Sequence, residues 1–204
     1  MSKSVYGYIS EAWKRPYDGE MKELNRQRLI EWRHGPTFER VDRPLRLDRA
    51  RALGYRAKQG YVIVRAKVRK GSLRKRAIRK GRRAKRRGLI RMRVNKNLQR
   101  IAEERVAKRH SNMEVLNSYL VGEDGKHKFY EVILVDPHHP AIVKDPKMGW
   151  IHEVQHTGRV YRGLTSAGKK SRGLRNKGIG AEKNRPSVAR HKHRKRPGKK
   201  VRFS

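Results

Sequence analysis

Between Arg49 and Ala102 lie 54 consecutive residues without a single Asp or Glu, and 22 of them are Lys or Arg. A folded core cannot balance that much charge of one sign. Self-repulsion drives such a segment apart unless a polyanion neutralises it. The whole chain carries a formal net charge of +38 over 204 residues. A partner bearing many phosphates is therefore the first expectation.

The charge is segregated. Residues 1–48 carry 10 basic and 8 acidic side chains, and residues 103–153 carry 7 and 9, so both blocks are close to neutral. Residues 49–102 stand at net +22 and residues 154–204 at net +16. The neutral blocks can fold alone, whereas the basic blocks are expected not to. Apolar residues make up only 35% of the chain, which points to a small core carrying basic extensions. The absence of cysteine excludes disulfides and cysteine-based zinc sites. The longest apolar run, Val132 to Val135, is too short to span a bilayer, and MSKSVYGYIS lacks the apolar region of a signal peptide. A soluble, intracellular protein is expected.

Periodicity supplies the elements. Val5, Tyr8, Ile9, Ala12 and Trp13 recur at helical spacing behind Ser4, a suitable cap, and Pro16 ends that helix. A second helix is expected from about Glu20 to Arg33, with Leu24 and Ile30 facing inward, stopped by Gly35-Pro36. A helical turn over 48–53 ends at Gly54, a residue suited to a left-handed position. Residues 61–69 alternate strictly, with Val62, Val64, Ala66 and Val68 on one face and Arg65, Lys67 and Arg69 on the other. Cations on one face of a strand repeat every ~6.6 Å, a ladder suited to a nucleic-acid backbone. From Lys70 to Arg93 periodicity disappears beneath the charge, giving a loop expected to order on binding. A third helix spans about 98–110 with Leu98, Ile101, Ala102 and Val106 buried. Two apolar runs, 115–121 and 129–135, flank Gly122-Glu123-Asp124-Gly125 and read as an antiparallel hairpin with both faces covered. Short elements follow as far as Trp150. No internal repeat is present.

The expected fold class is therefore α+β: a small antiparallel sheet with a central hairpin covered by helices, plus long basic irregular extensions. The chain reads as a single domain over 1–204. Within it are N-terminal helices at 4–33, a basic strand and loop at 47–96, a helix and hairpin core at 97–153, and a basic, glycine-rich extension at 154–204.

Three sharper readings compete with plainer ones. Gly163-Leu164-Thr165-Ser166-Ala167-Gly168-Lys169-Lys170 is almost a phosphate-binding P-loop, but Lys170 stands where the magnesium-binding Ser or Thr is required. No buried strand precedes it, so nucleotide hydrolysis is disfavoured and the glycines are read as points of close approach to RNA. His138, His139, His152 and His156 lie near Asp136 and Glu153 but match no compact metal or base–carboxylate spacing; surface roles are favoured. Tyr55, Tyr61, Tyr161 and Trp150 could stack on unpaired bases. Trp13 and Phe129 read instead as core, and Tyr55 remains open between the two. The basic residues sit mostly in irregular segments and match no finger, homeodomain or zipper, which suits shape readout of a folded RNA. Neutralising ten phosphates would give a log-affinity slope of about −9 against log salt on the duplex-DNA scale.

The run LDRARALGYRAKQGYV at 47–62 closely resembles the signature of the eukaryotic-type large-subunit ribosomal protein fifteen family of archaea and eukaryotes, which is distinct from the bacterial protein of the same number. Ala102-Glu103-Glu104-Arg105, LNSYLVGEDGKHKFYEVILVDPHHPAI at 116–142 and RGLTSAGKKSRGL at 162–174 agree with it, and the composition and tail resemble the archaeal branch. The resemblance implies a non-enzymatic component of the large ribosomal subunit, cytoplasmic with the ribosome. Its implied partners are large-subunit ribosomal RNA and neighbouring ribosomal proteins, with no membrane and no small-molecule substrate. No cofactor is expected, magnesium entering only as an ion bound to the RNA.

The expected RNA-binding residues are Arg49, Arg51, Tyr55, Arg56, Lys58, Arg65, Lys67, Arg69 and Lys70 around the strand. The following loop adds Arg74, Lys75, Arg76, Arg79, Lys80, Arg82, Arg83, Lys85, Arg86, Arg87, Arg91 and Arg93. The C-terminal extension adds Arg162, Lys169, Lys170, Arg172, Arg175 and Lys177. Arginines lead because guanidinium binds phosphate bidentately. No catalytic or metal-ligating residue is expected. A nucleic-acid packaging protein is the alternative binding role, and a nuclease or nucleotide hydrolase the alternative chemical one.

Overall fold

The computed structural model describes residues 3–72, 81, 83, 95–179, 181 and 184. Helices α1 (Val5–Ala12) and α2 (Gly19–His34) lead into strand β1 (Phe38–Val41), helix α3 (Leu47–Ala52) and strand β2 (Tyr61–Arg69). Helix α4 (Leu98–Arg109), strands β3 (Glu114–Glu123) and β4 (His127–Val135), α5 (Pro140–Val143), two short 3-10 turns and α6 (Ser166–Ser171) follow. The four strands form one antiparallel sheet in the order β1-β2-β4-β3. The α+β reading of the sequence is the observed architecture.

Alternation explains how the sheet is packed. Strand β4 runs between β2 and β3, and Phe129, Ile133 and Val135 point to one face while Tyr130, Val132 and Leu134 point to the other. The first face is covered by Trp32 of α2, Ala50 of α3 and Ile142 of α5. The second is covered by Ala102, Val106 and Ala107 of α4, with Val160 from the C-terminal segment. Full burial of each large apolar side chain stabilises by about 1.5–3 kcal/mol. A strand buried on both faces thus dominates the stability of the domain.

Several sequence expectations are corrected. In α2, Leu24 and Ile30 are exposed, at 42% and 44%; Asn25, Leu29 and Trp32 face inward instead. Trp32 sets that phase because its ring meets Phe129 at 5.4 Å. Ser4 caps α1 as expected, yet no α1 residue is fully buried, and Trp13 is half-buried under Arg46 rather than in the core. Strand β1 went unread because four residues carry too little periodicity. The hairpin turn is tighter than read: Gly122 and Glu123 pair with Phe129 and Lys128 inside the ladder, and Asp124 Oδ1 accepts from the backbone of Lys126 and His127 to close the turn. Gly122 is there for space, since a Cβ would stand 3.0 Å from Leu29.

The segment after Glu153 is folded further than its composition suggested. Val160, Thr165 and Ala167 are buried against α4. The organising group is Glu103, a fully buried carboxylate on α4 that accepts hydrogen bonds from the hydroxyls of Ser118 on β3 and Thr165, the cap of α6. Arg159 crosses to the carbonyls of Val115 and Leu116 at 2.7 and 2.8 Å, and Arg100 reaches the Tyr161 carbonyl at 3.1 Å. Glu131 repeats the arrangement on the opposite face, accepting from the Tyr119 hydroxyl and the Leu45 amide.

Two predictions follow from this packing. A methyl added at Gly168 would lie 2.6 Å from Gly163 Cα. Gly168→Ala should therefore destabilise by about 1–3 kcal/mol in urea unfolding. Gly125→Ala, with nothing within 4 Å, should stay within about 0.5 kcal/mol.

Burial pushes the Glu103 carboxyl above the ordinary carboxylate value of 4.5, against the opposing pull of its two hydroxyl donors. A carboxyl raised in the folded state contributes its stability below 4.5 and loses it as pH rises through the folded value. Glu103→Gln removes that dependence. The difference in Tm, wild type minus variant, should thus become steadily less favourable to wild type from acid toward neutral pH. A difference independent of pH refutes the assignment.

Candidate nucleic-acid interface

The fold divides the expected RNA-binding cations into those it consumes and those it leaves outward. Lys58 is paired with Asp145 and also donates to the Ala141 carbonyl at 3.1 Å. Arg65 lies 2.7 Å from Glu39 and covers the Trp32 ring at 4.6 Å. Lys67 donates to the carbonyls of Arg33 and Gly35 at 2.9 and 2.8 Å. The face of β2 expected to be a ladder of free cations is thus occupied by α2 and its C-terminal turn. Of its three members only Arg69, at the end of the strand, is exposed.

Other members are partly engaged. Lys70 pairs with Glu123 at 3.4 Å, and Arg51 lies over Tyr6 while donating to its hydroxyl. Arg162 donates to the carbonyls of Gln155 and Thr157, Arg172 to those of Arg162 and Gly163, and Arg175 to Ser166. These three remain exposed, so their bonds set the guanidinium direction without burying it.

Arg49, Arg56, Arg69, Lys169, Lys170 and Lys177 are exposed and make no ion pair with any described residue, and Arg83 is likewise exposed. Arg49 and Arg56 flank the left-handed Gly54, with φ +101°, which turns the chain after α3. Arg74, Lys75, Arg76, Arg79, Lys80, Arg82, Lys85, Arg86, Arg87, Arg91 and Arg93 lie outside the described residues. The sequence reading missed Arg105, Lys108 and Arg109, three exposed cations on α4. Their block is net −2, which hid them, but its acids Glu103, Glu104 and Glu131 are turned inward or paired.

The aromatic residues separate similarly. Tyr55, left open above, is only 8% exposed and packs edge-on against Tyr61 at 5.8 Å, so it belongs to the core. The Tyr61 hydroxyl is itself buried. Trp150 is half-buried between Arg159 and His156. Only Tyr161, at 52%, keeps an open ring among the four.

The motifs weighed as chemistry have structural explanations. Thr165 of the P-loop-like run caps α6, accepting from the Gly168 amide at 3.1 Å. Gly163, at φ +68°, and Gly168 provide close backbone packing rather than a phosphate cradle. His139 caps α5 through Nδ1, and His138 meets His152 edge-to-face at 5.2 Å. No cluster of three metal-ligating side chains occurs among the described residues.

The sorting predicts two distinguishable mutant classes. Joint Arg49→Gln, Arg56→Gln and Arg69→Gln should lower the salt slope of RNA binding by about 2–3 and leave stability within about 0.5 kcal/mol. Arg159→Gln should instead cost about 1.5–3 kcal/mol of stability, read by urea unfolding, with the slope unchanged.

Comparison with known proteins adds the family. The model of the Ribosomal L15 family matches residues 4–192. The chain is 56% identical over 194 residues to large ribosomal subunit protein eL15 of Methanocella arvoryzae, covering 95% of this chain and 99% of that protein. It is 54% identical over the same span to the protein of that name from Methanospirillum hungatei, again at 95% and 99% coverage. The Haloarcula marismortui protein of that name is 53% identical over 188 residues, covering 92% of this chain and 96% of the relative. These matches join the exposed cations and the fold to a known set of proteins: the chain belongs to the Ribosomal L15 family.

Proposed function

We propose that this protein is a structural constituent of the large ribosomal subunit that binds and stabilises the subunit's RNA, supporting assembly and translation in the cytoplasm. The observation that carries the reading is the segregation of charge. The fold pairs or buries most of its carboxylates, and the 54-residue basic block contains none of its own. Names of relatives at 53–56% identity support the subunit, and the role is that of a scaffold rather than an enzyme.

The mechanism follows from counterion physics. The sheet domain, into which α3, β2 and α6 are folded, docks on the particle and turns its outward cations to the RNA, and the basic stretches after Arg69 and after Ser171 supply further cations. Lys and Arg there displace condensed cations, and the entropy gained by each released ion favours the phosphate contact, most strongly at low salt. Guanidinium groups held by their own carbonyl bonds, such as Arg162 and Arg172, meet phosphate in a preset direction. The protein needs no resident cofactor; magnesium stays an ion of the RNA. Neighbouring ribosomal proteins complete the set of partners.

A sucrose gradient of native extract, run before and after a high-salt wash, tests the reading. Migration with the large subunit through the wash is expected. Release at moderate salt, with equal affinity for duplex DNA and folded RNA, would instead mark a packaging protein. Replacing Arg82, Arg83, Arg86 and Arg87 together by Gln should impair subunit assembly and reduce the salt slope; no change in either removes that cluster from the interface.

A further inference from the structure

Between the turn joining α1 to α2, helix α2 itself and β3 lies a cleft of about 250 Å³ that no contact described so far fills. Trp13, Tyr17, Asn25, Leu29, Arg46 and Leu120 are among its walls. Tyr17 and Leu120 are 48% and 39% exposed, so the cleft opens to the outside. The Arg46 guanidinium lies over the Trp13 ring, 5.1 Å from its centre, and covers one face of the indole.

Two features indicate what fits. The first is polar capacity along the walls. Asn25, 5% exposed, donates one N–H to the Pro16 carbonyl at 2.6 Å and accepts once from Arg28 at 3.3 Å. An amide has two N–H groups and two lone pairs, so one donor and one acceptor remain. Arg46 is engaged only through Nη2, by Asp48 at 3.3 Å. A protein leucine or phenylalanine would leave these groups unmet, whereas a nucleobase offers a stacking face and an edge of donors and acceptors. The second feature is charge at the rim. Lys14 and Arg15 follow Trp13 directly, are exposed, and form no ion pair with any described residue. They suit the phosphates on either side of a splayed nucleotide.

Building on the RNA-binding reading, we infer that this cleft receives one unstacked nucleobase of the bound RNA. Trp13 and Tyr17 supply the stacking surface, Asn25 and Arg46 meet the base edge, and Lys14 and Arg15 hold the flanking phosphates. The sequence Trp13-Lys14-Arg15-Pro16-Tyr17 places two basic residues between two aromatic ones on one turn.

The test uses the full chain with short oligoadenylate and with an abasic strand of equal length, each titrated over a salt series. One stacked base is expected to favour the base-bearing strand by about five- to 150-fold. Trp13→Ala and Tyr17→Ala should each bring that ratio toward one with the salt slope unchanged. Tyr17 is exposed enough for its variant to fold regardless of the outcome at Trp13. Joint Lys14→Gln and Arg15→Gln should keep the ratio and lower the slope by about 1.5. A wild-type ratio near one with the slope intact, or a ratio untouched by both aromatic variants, overturns the cleft assignment alone. Absence of salt-dependent binding to either strand overturns the RNA reading beneath it. A photoreactive residue at position 17 that crosslinks to protein rather than RNA in purified large subunits makes the occupant a protein and also overturns the assignment.

Discussion

A carboxylate with no access to water must be given donors, and the way Glu103 receives them determines how the second half of the molecule is assembled. One hydroxyl comes from β3 and the other from the cap of α6, so a single side chain on α4 ties three chain segments together. The same Thr165 hydroxyl accepts from the Gly168 amide, which starts α6 on top of Gly163. With that segment in place, Arg159 and Arg100 find backbone carbonyls rather than phosphates. Removing one partner from such a set would leave a buried group unmet, which costs more than the bond itself contributes. Glu131 plays the same part on the other face with Tyr119 and Leu45.

This arrangement reconciles a small apolar fraction with a chain of net charge +38. Of the 18 carboxylates, 17 lie in the two near-neutral blocks, and only Glu182 lies beyond residue 153. Inside the fold they align cations with helices and strands, as Glu39 does for Arg65 and Asp145 for Lys58. Cations beyond their reach, such as Arg49, Arg56 and Lys169, face outward. The core and the interface are thus two results of one distribution of acids.

Legibility followed the range of the interactions involved. Strand β2, the β3–β4 hairpin and α4 were readable because alternation and helical spacing act over a few residues. Capping by Ser4 and the left-handed Gly54 were readable for the same reason. The phase of α2 was not, because Trp32 is drawn inward by Phe129, almost a hundred positions away in the chain. Helix α6 was hidden because its glycines and lysines look like a flexible basic tail, and only the packing onto Glu103 makes them a helix.

By itself the sequence determined an uncompensated positive charge, a two-sided sheet and the family resemblance, since uncompensated charge and periodicity are properties of neighbouring residues. The tertiary structure alone decided which cations are left facing outward. Lys58, Arg65 and Lys67 look identical in sequence to Arg56 and Arg69, yet their charges are met by Asp145, Glu39 and the carbonyls that end α2. Each of those partners is brought close only by the folding of distant segments. Electrostatic pairing depends on distance in space, and no local pattern encodes it.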